Sequence, residues 1–179
     1  MTNVLIVDDE KIEREGLKYL LSREEGERNI FEASNGKQAL QILRTEEIQL
    51  LLTDIKMPHM DGLELSRKAK EEKPDLQVVI FSGYSDFSFA QEAIRYGVTE
   101  YILKPVDPDD FHSVIKKVEQ KINTQKQKEI REQKRKLEET EEKMFRLKEE
   151  ETADRVELLP WIRELFRKGI CTEWTVSVL

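Results

Sequence analysis

The chain has 179 residues, 37% of them charged, and a formal net charge of −7. This length allows one domain of ordinary size and an extension. The negative charge argues against a surface that attracts nucleic acid over its whole extent. Because Cys171 is the single cysteine, no internal disulfide forms, and a reducing cytoplasm is the expected compartment. We expect neither a signal peptide nor a membrane span, since no long apolar stretch is present.

The average composition hides three regions. Residues 1–122 mix apolar runs with turns and are predicted to form one globular domain. Residues 123–152 are mostly Lys, Glu, Gln and Arg and predict a charged helical linker. Apolar residues return in 153–179, which we interpret as the start of a second, effector domain that this chain largely lacks. There, Pro160 fits the first turn of a new helix and residues 175–179 resemble the start of a strand.

Five short apolar runs alternate with five amphipathic segments in the first region. The runs are residues 4–7, 30–33, 50–53, 78–81 and 101–103. Such short runs without polar alternation suit strands buried on both faces. The intervening segments have helical periodicity; Ile12, Leu17 and Leu21, for example, fall on one face. The pattern predicts an α/β fold, a doubly wound five-stranded parallel sheet whose last helix continues into a C-terminal helical stem.

The stem carries a thin heptad pattern. Its sparse apolar residues are Ile130, Leu137, Met144 and Leu147. This spacing places them at core positions of a coiled coil, although Gln133 and Thr140 occupy other positions of the same seam. Two interpretations stay open: a parallel dimeric coiled coil, which we favour, and a single solvated helix.

Polar side chains follow four of the five apolar runs. Asp8 and Asp9 follow the first, Asp54 the third, Ser82 the fourth and Lys104 the fifth. Ligands of doubly wound sheets bind at the carboxyl ends of the strands. If the strand order is 2-1-3-4-5, the second strand is an edge and these side chains converge in one crevice.

The converging residue types suit phosphoryl transfer. Carboxylates that lie together repel one another, and an oxygen-only ligand set favours Mg²⁺ as their partner. Lys104 adds a positive charge and Ser82 a hydroxyl donor, which together stabilise a phosphoryl group in transfer. One carboxylate is then left to act as the nucleophile.

Each of these residues also has a simpler structural explanation. Asp8 and Asp9 could cap the helix that follows them. Ser82 could be a turn residue and Lys104 a surface residue, and Asp54 could be a cap, although no helix begins directly after it. The arrival of all five at strand ends favours the functional interpretation.

Together these motifs resemble the receiver domain of two-component response regulators. The matching segments are VLIVDDE (4–10), LTDIKMP (52–58), DG (61–62), FSG (81–83) and YILKP (101–105). They match in order and spacing over residues 1–122. The resemblance implies the flavodoxin-like strand order 2-1-3-4-5 and a phosphoryl group accepted on Asp54 from a sensor histidine kinase.

The resemblance also implies the metal ligands. Asp54 would be the phosphoacceptor, and Asp9 and Asp54 would bind Mg²⁺ together with the backbone carbonyl of Lys56. Asp8 would act mainly through metal-bound water.

The remaining roles concern the phosphorylated state. Ser82 and Lys104 would contact the phosphoryl group, and Tyr101 would be the switch aromatic that turns inward. The peptide bond before Pro105 is expected to be cis. Lys56 and Tyr84, which lie two positions beyond Asp54 and Ser82, would modulate hydrolysis of the aspartyl phosphate. We hypothesise that bulky Tyr84 slows loss of the phosphoryl group.

Residues 82–87 and 104–107 are similar to AraC-type response regulators, in which a C-terminal helix-turn-helix pair binds DNA. The resemblance implies DNA binding only through an effector domain absent from this chain. It further implies a homodimer formed through the receiver face and the stem.

Two alternatives to a receiver come from other classes of protein: an enzyme with the same topology, and an interaction scaffold that is never phosphorylated. A nucleotide or flavin binder would want a Gly-rich loop after the first strand, where residues 8–11 are DDEK. An aspartyl-phosphate phosphatase would want an acid where Lys56 stands. A receiver-like scaffold that acts through the coiled coil without phosphorylation remains the alternative. We expect no enzyme activity beyond self-phosphorylation from a donor and autodephosphorylation.

Overall fold

The computed structural model describes the backbone of residues 1–83 and 87–167. The chain divides into two units, Met1–Gln125 and Lys126–Leu179. Among the helices that the model describes, none is both long and apolar enough to cross a membrane.

Five strands and five helices alternate along these residues. The strands are β1 (Thr2–Val7), β2 (Arg28–Ala33), β3 (Leu50–Asp54), β4 (Gln77–Ser82) and β5 (Glu100–Leu103). The helices are α1 (Lys11–Ser22), α2 (Gly36–Thr45), α3 (Gly62–Glu72), α4 (Phe87–Arg95) and α5 (Pro108–Arg167). Each strand begins within three residues of its predicted start. The apolar runs of β1, β3 and β4 are buried, whereas the edge strand β2 is largely exposed or half-buried.

The strands form one parallel sheet in the order β2-β1-β3-β4-β5. This is the predicted order. β2 is an edge strand that pairs with β1, while β1, β3 and β4 lie inside the sheet. The interior strands carry the continuous apolar runs, and every residue of β3 and β4 is buried.

Two hydrophobic clusters cover the two faces of the sheet. Alternate residues of β1 enter opposite clusters, Leu5 and Val7 the first and Val4 and Ile6 the second. The first cluster is completed from α2 and α3, by Ala39, Leu40, Leu43, Leu63, Leu65 and Ala69. The second is completed from α1 and α5, by Leu17, Leu21, Phe111, Ile115, Val118 and Ile122. Helices therefore pack on both faces, as the doubly wound prediction requires.

The last helix continues far past the sheet-covering residues, as predicted, and is described as far as Arg167. The expectation that Pro160 opens a separate helix was wrong, because this residue lies inside α5. A proline there lacks the N–H that an interior helical residue donates, but the helix formers on both sides continue the helix through it. The strand predicted for 175–179 lies outside the described residues.

Candidate functional site

The register of the sheet brings the predicted strand ends to one level. Val7 pairs with Thr53, so the residues that follow them, Asp8 and Asp54, come side by side. Asp54 in turn pairs with Phe81, the residue before Ser82. A parallel sheet aligns all its carboxyl ends at one edge, and the site is built on that edge.

The carboxylate of Asp54 is held by two donors at the end of β3. Its Oδ2 accepts a hydrogen bond from the backbone N–H of Lys56 at 2.7 Å. Its Oδ1 lies 2.9 Å from the Nζ atom of Lys104. The side chain is 12% exposed, so solvent and a ligand can reach it from the edge of the sheet.

Asp8 is more deeply buried and is also held twice. Its Oδ1 accepts from the backbone N–H of Glu10 at 2.9 Å, and its Oδ2 accepts from Lys104 at 3.1 Å. Burial raises the pKa of this carboxyl above its usual value, and the opposing effects of the Glu10 N–H and Lys104 are smaller. The capping explanation does not hold for Asp8, because the N-cap of α1 is Glu10, whose side chain makes no capping hydrogen bond.

Lys104 lies between the carboxylates rather than on the open surface. Its Nζ atom is 2.9 Å from Asp54, 3.1 Å from Asp8 and 3.4 Å from Glu13, and its side chain is 19% exposed. Burial by itself would lower the pKa of the ammonium group. The hydrogen bond and charge of Asp54, followed by those of Asp8, outweigh burial and raise this pKa. Lys104 therefore stays protonated and neutralises part of the charge of two buried acids.

The other predicted site residues lie in different environments. The Ser82 side chain is buried. The backbone carbonyl of Ser82 accepts a hydrogen bond from the backbone N–H of Lys104 at 2.7 Å. Tyr101 is half-buried and packs against the first hydrophobic cluster. The side chains of Asp9 and Lys56 are exposed. The structure thus brings Asp8, Asp54 and Lys104 into direct contact, whereas Asp9 faces solvent.

Two further predictions concern single positions. The peptide bond between Lys104 and Pro105 is cis, the geometry that the resemblance implies. Tyr84, predicted to modulate hydrolysis, lies outside the described residues.

The ligand set predicted for Mg²⁺ consists of carboxylates and one backbone carbonyl. Among the described residues, no three His, Cys, Asp or Glu side chains come together as a metal cluster. The carboxylates of Asp8 and Asp54 do come together, linked through Lys104. Their hard oxygen atoms fit Mg²⁺, which commonly uses one or two protein carboxylates and retains water.

Three residues that shape the site are not among those predicted from the sequence. A Cβ atom added at Gly62 would lie 2.0 Å from the carbonyl oxygen of Asp54, so only glycine lets α3 begin this close to β3. Arg14 donates from Nη1 to the carbonyl of Asp8 at 2.8 Å, and Glu13 contacts Lys104. The DG motif was a sequence indication for Gly62. Contacts of the two α1 residues depend on how that helix packs, which periodicity does not specify.

The fold and this edge define a class of protein: a doubly wound α/β module with an aspartate held between a lysine and a backbone N–H. The family model of the response regulator receiver domain matches residues 4–116. The chain therefore belongs to the response regulator receiver domain family.

Similar proteins agree with this assignment. The uncharacterized transcriptional regulatory protein YesN of Bacillus subtilis is 35% identical over 119 residues, which cover 66% of this chain and 32% of YesN. The REC domain of AraT, a response regulator from Geobacillus stearothermophilus, is 40% identical, with a TM-score of 0.62 over 70% of this chain and 98% of that chain. A two-component transcriptional regulator AraC from Clostridium phytofermentans is 32% identical, with a TM-score of 0.62 over 72% and 99% of the two chains.

The predicted similarity to AraC-type response regulators is confirmed by these matches. The chain spans less than half of the length of the first curated relatives that it matches, with 32 to 45% of each relative aligned.

Proposed function

We propose that this receiver accepts a phosphoryl group on Asp54 from a sensor histidine kinase in the cytoplasm. The observation that carries the proposal is the double restraint on the Asp54 carboxylate, by Lys104 at 2.9 Å and by the Lys56 N–H at 2.7 Å. A nucleophile needs a fixed orientation and access to its substrate, and this side chain has both.

In the proposed step, a carboxylate oxygen of Asp54 attacks the phosphorus of a phosphohistidine. A P–O bond forms and the P–N bond breaks, and the leaving imidazole nitrogen keeps the electron pair of that bond and takes a proton from water. The product is an aspartyl phosphate. Lys104 then neutralises a phosphoryl oxygen while Ser82 supplies a hydroxyl at the neighbouring strand end, which is the electrostatic stabilisation that phosphoryl transfer needs.

Asp8, Asp9, Asp54 and the carbonyl of Lys56 are the residues that would hold Mg²⁺. When bound, the ion supplies positive charge that the donor's phosphate oxygens and the clustered carboxylates share. Asp8 and Asp54 lie close together, and without a cation their mutual repulsion is offset mainly by Lys104.

An apolar groove beside the site supports a protein as the donor. The groove has a volume of about 390 Å³ and is lined by α1 and by the segment that follows β5. Ile12, which is 77% exposed, lies along it, and Glu13 and Lys104 belong to both the groove and the site. Exposed apolar surface of this kind marks protein contacts, and a histidine kinase that covered it would bring its phosphohistidine to Asp54. Ile12→Ser should slow transfer from a kinase and leave transfer from acetyl phosphate unchanged.

The proposed output is a change of association state. Phosphorylation would draw Ser82 toward the phosphoryl group and let Tyr101 turn inward, repacking the α4–β5–α5 face. The stem would then bring two copies together, because Ile130 and Leu137 are exposed at heptad spacing. Regulation of transcription would require a DNA-binding domain like those of AraC-type relatives. The chain's own chemistry would be limited to its phosphorylation and dephosphorylation.

The test is incubation with Mg²⁺ and acetyl phosphate, followed by intact-mass measurement. We expect one phosphoryl adduct in the wild type, none in Asp54→Asn, and none after chelation of Mg²⁺. Asp61→Asn is the matched control, since it removes a carboxylate that caps α3 outside the site and should keep the adduct. Absence of an adduct in the wild type, with acetyl phosphate and with a kinase, would contradict the proposal and favour the unphosphorylated scaffold.

A further inference from the structure

Glu13, in the first turn of α1, is a third carboxylate on the lysine of the site. Its Oε2 atom lies 3.4 Å from the Nζ atom of Lys104, next to the closer contacts from Asp54 and Asp8. An ammonium group has three N–H donors. All three of them therefore have a carboxylate within reach.

The three carboxylates are not equivalent. Asp54 and Asp8 each accept a second hydrogen bond from a backbone N–H and are largely buried. Glu13 makes the longest of the three contacts and is 43% exposed, at the place where the apolar groove borders the site. Removing its charge would leave Lys104 held by the two shorter contacts, so the position of the ammonium group does not depend on Glu13.

Glu13 and an incoming phosphoryl group would compete for the ammonium group of Lys104. Phosphoryl oxygens need an N–H of Lys104, and Glu13 is the most exposed of the three carboxylates around this ammonium group. The carboxylate also places a negative charge beside the route by which an anionic donor reaches Asp54, and like charges at this range repel.

We propose that Glu13 restrains phosphorylation of Asp54, by competing with phosphoryl oxygens for Lys104 and by repelling anionic donors that do not displace it. This inference rests on the function proposed above. Small donors such as acetyl phosphate would meet the full restraint. A protein seated in the groove would contact Glu13 itself and could draw it away from Lys104.

The test compares initial rates of adduct formation with Mg²⁺ and acetyl phosphate. Because the Glu13–Lys104 pair is partly exposed, we expect Glu13→Gln to accelerate adduct formation only about two- to five-fold. The matched control is Glu15→Gln, which removes the same charge from the same helix. Glu15 is 54% exposed and pairs with Lys18 rather than Lys104, so its rate should equal that of the wild type.

Two further readouts separate this role from a structural one. Raising the ionic strength should shrink the difference between Glu13→Gln and the wild type, because screening weakens the repulsion. The urea unfolding midpoints of the two glutamine variants should agree.

The outcomes distinguish this inference from the proposed function. If the wild type forms the Asp54 adduct and Glu13→Gln is no faster than Glu15→Gln, only the restraint is overturned. A slower Glu13→Gln would overturn it too, since Glu13 would then be assisting Lys104. If no donor phosphorylates the wild type, both proposals fail. A salt-sensitive acceleration confined to Glu13→Gln supports the restraint.

Discussion

Described apolar residues of α5 lie in opposite environments in the two units of the chain. In Met1–Gln125, the α5 residues Phe111, Ile115 and Val118 are fully buried against the sheet. In the second unit, Ile130 is 63% exposed and Leu137 is 59% exposed. The two parts of α5 are thus stabilised in different ways. The first unit depends on tertiary packing, whereas the exposed turns of the second depend on helix propensity and on any partner that covers them.

Truncation of Phe111 tests this contrast most severely. Phe111→Ala removes a buried ring that stacks on Phe81 with 6.1 Å between ring centroids, and should lower the free energy of unfolding by about 3 to 5 kcal/mol. The matched variant is Leu137→Ala, which should change it by less than about 0.5 kcal/mol in dilute solution. Urea denaturation followed by circular dichroism measures both. Equal losses in the two variants would contradict the contrast.

The next effect concerns the packing of α3 against Asp54. Gly62→Ala would place a Cβ atom 2.0 Å from the carbonyl oxygen of Asp54. Because that neighbour is backbone, β3 or α3 must shift, and we expect a loss of about 3 kcal/mol in unfolding free energy.

Gly16→Ala is the control for Gly62→Ala. The Gly16 position in α1 has no heavy atom within 4 Å of an added Cβ. The alanine there should stabilise the protein by about 0.5 to 1 kcal/mol, since it improves helix propensity. A Gly62→Ala variant as stable as the wild type would refute the close approach.

Neutralising Asp8 should stabilise the receiver. Burial raises the pKa of Asp8 above its usual value of 3.8, so its charged form destabilises the folded state. In Mg²⁺-free buffer at pH 7, Asp8→Asn should increase the free energy of unfolding, because a buried charge is removed while Lys104 keeps its closer contact with Asp54. Asp9→Asn, which changes an exposed carboxylate, is the control and should have little effect.

The pH dependence of the Asp8→Asn gain has a definite sign. The folded protein protonates Asp8 at a higher pH than the unfolded protein does. The destabilisation is therefore complete above the raised pKa and disappears as the pH falls through it toward 3.8. The advantage of Asp8→Asn should shrink over the same interval. A gain that grows on acidification would contradict this account.

The smallest effect on stability is expected in the stem. Replacing both Ile130 and Leu137 with Lys should leave the unfolding of the receiver within about 0.5 kcal/mol of the wild type, because both positions are exposed. The same change should abolish concentration-dependent dimerisation in sedimentation equilibrium if the stem is a coiled coil. A wild type that remains monomeric at high concentration, with and without phosphodonor, would favour the single solvated helix.

Helical periodicity predicts the burial of some apolar residues correctly and of others wrongly. Leu17 and Leu21 are buried as the helical pattern of α1 predicts, but Ile12 on the same predicted face is 77% exposed. Ile94 in α4 is likewise 75% exposed. Periodicity identifies the apolar face of a helix. It does not say where the sheet beneath that helix ends.

The site likewise contains residues that the sequence predicts and a contact that it does not predict. Asp8, Asp54, Ser82 and Lys104 were predictable because each terminates an apolar run, and strand ends of a parallel sheet meet at one edge. The contact of Glu13 with Lys104 was not predictable, since it depends on the rotation of α1 against the sheet.

The sequence by itself determined the alternation of strands and helices, the residue types at the strand ends and the continuation of the last helix. These follow from local patterns of apolar and polar residues. The register of the strands, the sharing of Lys104 among three carboxylates and the fit of Gly62 against Asp54 depend instead on tertiary packing. The first two join residues far apart in the chain, and local patterns of apolar and polar residues specify none of the three distances.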